Sequence, residues 1–133
     1  NSTNDEIFVV NGNGNVGIGT INPQSKLEVA GMIKACRAKV EVFSGCDFVF
    51  ESGYSLPTLE KRAEGILKNK HLPYLKPAIE MEKDGMDVGE TVLGVLRNVE
   101  EHDLYMYEQN KKIEDMQKQI DELKRELEGM KRN

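Results

Sequence analysis

From Val92 to Met130 a stripe recurs in alternating steps of three and four: Val92, Val95, Val99, His102, Met106, Gln109, Ile113, Met116, Ile120, Leu123, Leu127 and Met130. This spacing draws one narrow, largely apolar line along a helix. Sustained over several heptads, such a line is buried by sister helices in a left-handed coiled coil. The pattern predicts a self-associating helix from Val88 to about Lys131, roughly 65 Å long at 1.5 Å per residue. Asp87 followed by Glu90 supplies its start signal, a D-x-x-E form of the capping box. Ile113 and Ile120 fall at a, and Met116, Leu123 and Met130 at d, a mixture that leaves the number of strands open. Glu126 at g and Lys131 at the next e favour parallel chains.

His102 and Gln109 interrupt the stripe at d positions. In one reading they tune register and loosen the upper coil. In the other, symmetry gathers the His102 rings on one axis as a metal or anion site, or as a proton-sensitive ring. Leu104 and Tyr107 form a second stripe expected to pack the helix against the region from Phe48 to Ile66. Glu100-Glu101 and Asp121-Glu122 point away from the seam and read as a solvated face.

The opening residues follow a different rhythm. The run Asn11-Gly12-Asn13-Gly14-Asn15 is tight-turn chemistry, because Asn and Gly tolerate positive φ. It predicts flanking strands at Ile7 to Val10 and Val16 to Ile18. Lys26 to Val29 reads as a further strand, and alternation from Met32 to Phe43 as a longer one, with Met32, Cys36, Ala38, Val40 and Val42 on the apolar side and Arg37, Lys39 and Glu41 opposite. Next come Phe48-Val49-Phe50, Tyr54 and Leu56, material for a small core. Pro57-Thr58 then opens a short helix with Leu59, Ala63, Ile66 and Leu67 on one face, ended by His71-Leu72-Pro73. After an extended linker between Pro73 and Pro77, a second short helix runs from about Ala78 to Gly85. The fold class expected is α+β: short intertwined strands over residues 1–43, a compact α/β knob over 44–87, and a coiled-coil helix over 88–133.

Composition sharpens this picture. With 38% hydrophobic and 6% aromatic residues among 133, the chain holds little material for a large private core, so a core shared between copies is expected. A formal charge of -5 with interleaved Lys and Glu argues against nucleic-acid binding, which needs a basic stripe. No apolar run approaches the roughly 20 residues of a membrane span. Cys36 and Cys46 are the only cysteines and, lacking a second pair or nearby histidines, are expected to be free thiols rather than zinc ligands.

Candidate chemistry is sparse. The glycines of GNGNVGIG do not open a helix and no GK[ST] follows, so turn formation explains them better than phosphate binding. His71, before a Leu-Pro step, is expected to cap the short helix, since no Ser, Cys or acid stands at motif spacing from it. No catalytic, cofactor or metal site is expected in a single chain. The loops at residues 52–55 and 72–77 combine Tyr54 and Tyr74 with Gly and Pro, a composition suited to rigid contact surfaces.

Several local motifs converge on one resemblance: Gly14-Asn15-Val16-Gly17-Ile18-Gly19-Thr20, Asn22-Pro23, Lys26-Leu27-Glu28-Val29-Ala30-Gly31, Asp47-Phe48-Val49-Phe50-Glu51, His71-Leu72-Pro73, Val99-Glu100-Glu101 with Leu104-Tyr105, and Glu108-Gln109-Asn110-Lys111. Across almost its whole length the chain resembles the C-terminal ends of phage tail-fibre-like proteins of Bacteroidetes and their phages. The resemblance implies a homotrimeric fibre end that caps an upstream shaft and contacts a host cell-surface receptor, on a virion tail fibre or a phage-like extracellular appendage. A folding and trimerisation chaperone is the alternative it allows. His102-Asp103 stands where such helices usually read Leu-Thr, and Tyr74-Leu75-Lys76 replaces Gly-Ile-Pro. Some related ends are self-cleaving chaperones that cut at Ser-Asp with a nearby Lys. This chain has no Ser-Asp step, and its nearest imitation, Cys46-Asp47, has no adjacent Lys, so a non-enzymatic role is expected.

Overall fold

The computed structural model describes residues 8–41 and 47–131. Its elements are three short strands, β1 (Phe8–Val10), β2 (Val16–Ile18) and β3 (Leu27–Val29), then a 3₁₀ turn (Asp47–Phe50) and three helices, α1 (Leu59–Asn69), α2 (Ala78–Asp84) and α3 (Val88–Lys131). The fold is α+β, with a small sheet and a long C-terminal helix. The chain divides into two compact units, Asn1–Lys39 and Val40–Asn133.

In the first unit β2 is central, antiparallel to β1 and parallel to β3. The β1–β2 turn is built by Asn11, whose Oδ1 accepts from the backbone N–H groups of Asn13 and Asn15, both at 3.0 Å. Gly14 supplies the positive φ of 72° that this turn requires. The register pairs Phe8 with Ile18, Val10 with Val16, Val16 with Leu27 and Ile18 with Val29. Directly paired residues share a face, so Phe8, Val10, Val16, Ile18, Leu27 and Val29 form one wholly apolar face. The opposite face carries Val9, Gly17 and Glu28, and there the loop after β2 folds back. A Cβ at Gly17 would collide with the Thr20 carbonyl oxygen and touch Pro23, and both Gly17 and Pro23 are buried. The glycine is what lets the loop lie flat. The apolar face stays open, with Phe8 63% and Leu27 57% exposed.

The alternation from Met32 to Phe43 does not yield a strand. Residues 32–41 pair with nothing in the sheet and are exposed, Cys36 included as a free thiol. A strand needs a neighbour to satisfy its backbone groups, and among the described residues none pairs with this segment. Positions 42 and 43, and Cys46, lie outside the described residues.

In the second unit the helix ends follow their caps. Thr58 Oγ1 accepts from the Lys61 N–H at 3.3 Å to open α1. The helix closes on Lys70, whose φ is 61° and whose N–H donates to the Ile66 carbonyl. Lys70 therefore ends α1, and His71 does not cap it: the His71 Nδ1–H donates to the adjacent Leu72 carbonyl at 2.9 Å. Pro77 precedes α2 and Gly85, with φ 82°, terminates it. Asp87 Oδ1 accepts from the Glu90 N–H at 2.8 Å and opens α3, which runs for 44 residues, about 66 Å.

The face of α1 that packs inward differs from the expectation. Leu59, Ala63 and Leu67 are exposed and Arg62 is buried. Among the described residues the core is correspondingly small: Val49, from the 3₁₀ turn that packs on α3, and Tyr105 are its buried hydrophobic residues, while Phe48 and Phe50 remain partly exposed.

Candidate functional site

Two stripes run side by side along the first half of α3. Gly94, Asn98, Glu101 and Tyr105 are spaced by four, three and four, as the seam is, but lie roughly 110° around the helix from it. All four are buried. Gly94 is the point of closest approach: a Cβ there would run into the Tyr74 carbonyl oxygen. The glycine lets the loop between α1 and α2 rest on the helix backbone. One turn further along, Asn98 Nδ2 donates to the Pro73 carbonyl at 2.8 Å and to the Gly94 carbonyl at 2.7 Å.

Glu101 is the centre of the arrangement, fully buried. Its Oε2 is paired with the Arg62 guanidinium from α1, which also donates to Asn98 Oδ1. Its Oε1 accepts from the hydroxyls of both Tyr54 and Tyr74, and Arg97 Nε lies 3.6 Å away. The Arg97 guanidinium is 3.7 Å from the centre of the Tyr74 ring and 5.0 Å from that of Phe48, placing a cation over electron-rich faces. Tyr105 completes the cluster by donating to the Pro57 carbonyl at 2.6 Å. One carboxylate thus ties α1 and two loops to α3.

Charge in this cluster is sorted by environment. Burial pushes the Glu101 carboxyl up, but the Tyr54 and Tyr74 hydroxyls and the Arg62 guanidinium outweigh it and hold the group below its ordinary value of 4.5. The neighbouring Glu100 is also buried, and there burial, reinforced by the Asp47 carboxylate, raises the carboxyl. Among the described residues Glu100 Oε2 has no hydrogen-bond partner. Burial and the Glu101 carboxylate together drive the Tyr74 hydroxyl well above its ordinary value.

Glu100 and Glu101 are therefore not a solvated face but the buried polar side of α3. The spacing of Glu101 with Gly94, Asn98 and Tyr105 is a visible signal, concealed because its residues are largely polar rather than apolar. Leu104 is half-buried and Tyr107 59% exposed, so the docked face is centred on Glu101 rather than on their stripe. Arg62 and Arg97, which lie outside that spacing, carry no sequence signal. Their partners are distant along the chain, 39 positions for Arg62 and Glu101 and 43 for Arg97 and Tyr54.

The seam stripe is left open in a single chain. Val92, Val95, Val99, Met106, Ile113, Met116, Ile120, Leu123, Leu127 and Met130 are all exposed, from 43% at Ile120 to 68% at Met130, and so are His102 and Gln109. The His102 Nε2 stands 3.5 Å from Arg62 Nη2, next to the buried cluster. Tyr54 and Tyr74 turn their hydroxyls inward, and Tyr74 keeps part of its ring at the surface. Among the described residues no three His, Cys, Asp or Glu side chains stand close enough to share a metal ion, and no helix is long and apolar enough to cross a membrane. The chain matches no protein-family model, no curated protein and no solved structure.

Proposed function

We propose that the chain is a structural and adhesive fibre end whose α3 helices form a parallel homotrimeric coiled coil, capping an upstream shaft and presenting the knob to a host-surface receptor. The carrying observation is which face of α3 the chain covers with itself. With Ile113 and Ile120 at a, the buried residues Gly94 and Glu101 fall at c, and Asn98 and Tyr105 at g. The knob thus occupies an outer flank, and the a/d stripe is open along the whole helix. A stripe of that length exposed to water is unfavourable at about 25 cal/mol per Å². Burial against copies of the same helix removes that cost without disturbing the knob.

The sheet supports the same reading independently. Its apolar face of Phe8, Val10, Ile18 and Leu27 is uncovered by its own unit, as expected of a shaft element completed by neighbours. Repetition of one weak receptor contact on three knobs would gain avidity without new chemistry. Such a fibre end would sit on a virion tail fibre or a phage-like extracellular appendage. Light scattering after gel filtration tests the assembly. A mass near three times the 15.0 kDa chain is expected, and a monomer at micromolar concentration would overturn it.

A further inference from the structure

A groove of about 250 Å³ runs between α1 and the loop that follows it, lined in part by Lys61, Arg62, Asn69, His71 and Tyr74. Gly65 lies in the middle of its helical wall. A Cβ at Gly65 would meet nothing within 4 Å, so packing does not require a glycine there, and glycine weakens a helix interior. What the missing side chain provides is space in the groove. Pro57, Pro73 and the Tyr74 ring supply flat apolar surface. Tyr74 is held at φ 64°, in a region that a bulky residue rarely occupies, so this wall is fixed at some conformational expense.

The polar groups of the groove share one sign. Lys61 and Arg62 are cations, and none of the lining residues is acidic. Arg62 is buried and its charge is paired with Glu101, while among the described residues its Nε has no hydrogen-bond partner. The His71 Nδ1–H is engaged with the Leu72 carbonyl, which leaves Nε2 for an occupant. Asn69 adds an amide with both donor and acceptor. An occupant complementary to these groups has an apolar ring face for the Pro and Tyr walls, hydroxyls around the ring for Asn69 and His71, and a negative charge for Lys61, which has no ion pair among the described residues. The volume is slightly below the roughly 300 to 1,000 Å³ of pockets for drug-sized ligands, so it suits one ring.

We propose that this groove binds a single carboxylated sugar ring, its carboxylate on the Lys61 and Arg62 side and its apolar face against Tyr74 and the prolines. The assignment rests on the adhesive reading, because it supplies the chemical class of the receptor group that the knob would contact.

The test titrates the whole chain with methyl glucuronide, methyl galacturonide and the methyl glycoside of N-acetylneuraminic acid, with methyl glucoside as the neutral control. Amide chemical shifts are followed, and light scattering on the same samples reports the assembly. At least one acidic glycoside is expected to give saturable shifts at Gly65, Asn69 and His71, binding about tenfold or more tightly than methyl glucoside. Gly65→Leu fills the open space and should abolish the shifts while keeping the melting temperature and mass. Lys61→Glu, on an exposed side chain, should do the same by charge reversal. Absence of shifts with all three acids, an equal response to methyl glucoside, or shifts that survive Gly65→Leu would overturn the groove assignment. A monomeric mass with saturable acid-selective shifts would overturn the fibre reading while supporting the groove.

Discussion

Along the first half of α3, one face carries Val92, Val95, Val99 and Met106 and lies in water, while the face roughly 110° away carries Asn98, Glu101 and Tyr105 and is buried. The usual sorting of apolar inside and polar outside is inverted within a single chain. Each inversion has its own physical reason. The buried face is tolerated because nearly every polar group on it is satisfied: Glu101 by an arginine and two tyrosine hydroxyls, Asn98 by two carbonyls and a guanidinium. The exposed face is tolerable if it is exposed only in the isolated chain. On the proposed reading, specificity and association fall to separate faces, the first fixing one geometry of the knob and the second holding chains together.

The largest effect that separates the two faces is expected at the seam. On the trimer reading, Ile113→Asp with Ile120→Asp places a ring of carboxylates at each of two core layers. Gel filtration with light scattering should then report single chains, while the Glu101 cluster, at the far end of α3, keeps its near-ultraviolet signature of Tyr54, Tyr74 and Tyr105. A mass unchanged by both aspartates would show that the stripe is not buried on assembly.

The converse change is Glu101→Ala. It leaves the Arg62 guanidinium buried beside Asn98 with no counter-charge, a loss of about 3–5 kcal/mol for one partner of a buried pair. Denaturant unfolding should show the knob melting early, with the coil beyond Asn110 retaining its helical signal and the particle its mass. Loss of assembly in this variant would mean that the two faces are not independent.

How much of this division could be read from residue order depends on distance along the chain. The strand at Val16–Ile18 lies beside its own turn residues, and the starts of α1 and α3 at Thr58 and Asp87 are local capping events, so short-range chemistry exposed them. The long helix α3 was legible because its apolar stripe repeats. Glu101 was misread because its partners Tyr54, Arg62 and Tyr74 are distant in sequence, and an isolated Glu-Glu pair on a helix is normally solvated. The Met32 to Phe43 alternation is genuine, but alternation describes what a strand would look like, not whether a partner edge exists. Tyr74 is the instructive middle case. Its place between two prolines in a Pro-rich loop is local, but its positive φ of 64°, a region where glycine is the usual residue, is not readable from a tyrosine.

A smaller effect distinguishes the two neighbouring carboxylates by pH. The Glu101 carboxyl is held below its ordinary value of 4.5 in the folded chain, so its stabilisation is complete above that value and is lost as pH falls through the lowered folded value. Glu100 is raised. Its protonated form suits the fold better, so its contribution is fully present below 4.5 and is lost as pH rises through the folded value. Glu101→Gln should therefore be most damaging at neutral pH and progressively less so toward acid. Glu100→Gln should be neutral or stabilising near pH 7 and lose that advantage toward acid. Thermal melts of both variants over that range check the signs, and parallel pH profiles would show that the two groups do not experience opposite environments.

The smallest effects come from the caps, and they are informative because the caps belong to different parts of the division. Thr58 opens α1, whose Arg62 is tied to the buried polar face of α3. Asp87 opens α3, which carries both faces. Removing either cap with alanine should cost about 1 kcal/mol, since one backbone N–H loses its acceptor. Thr58→Ala should lower the melting of the knob alone. Asp87→Ala frays the first turn of α3, where Val92 begins the seam and Gly94 receives the Tyr74 loop, so it should weaken the knob and shift the assembly midpoint on dilution together. Hydrogen exchange at the amides of Thr91 to Val95 would register the fraying directly. If Thr58→Ala moved the assembly midpoint as far as Asp87→Ala, the buried polar face would have to transmit strain to the seam, with the 3.5 Å approach of Arg62 to His102 as the first contact to examine.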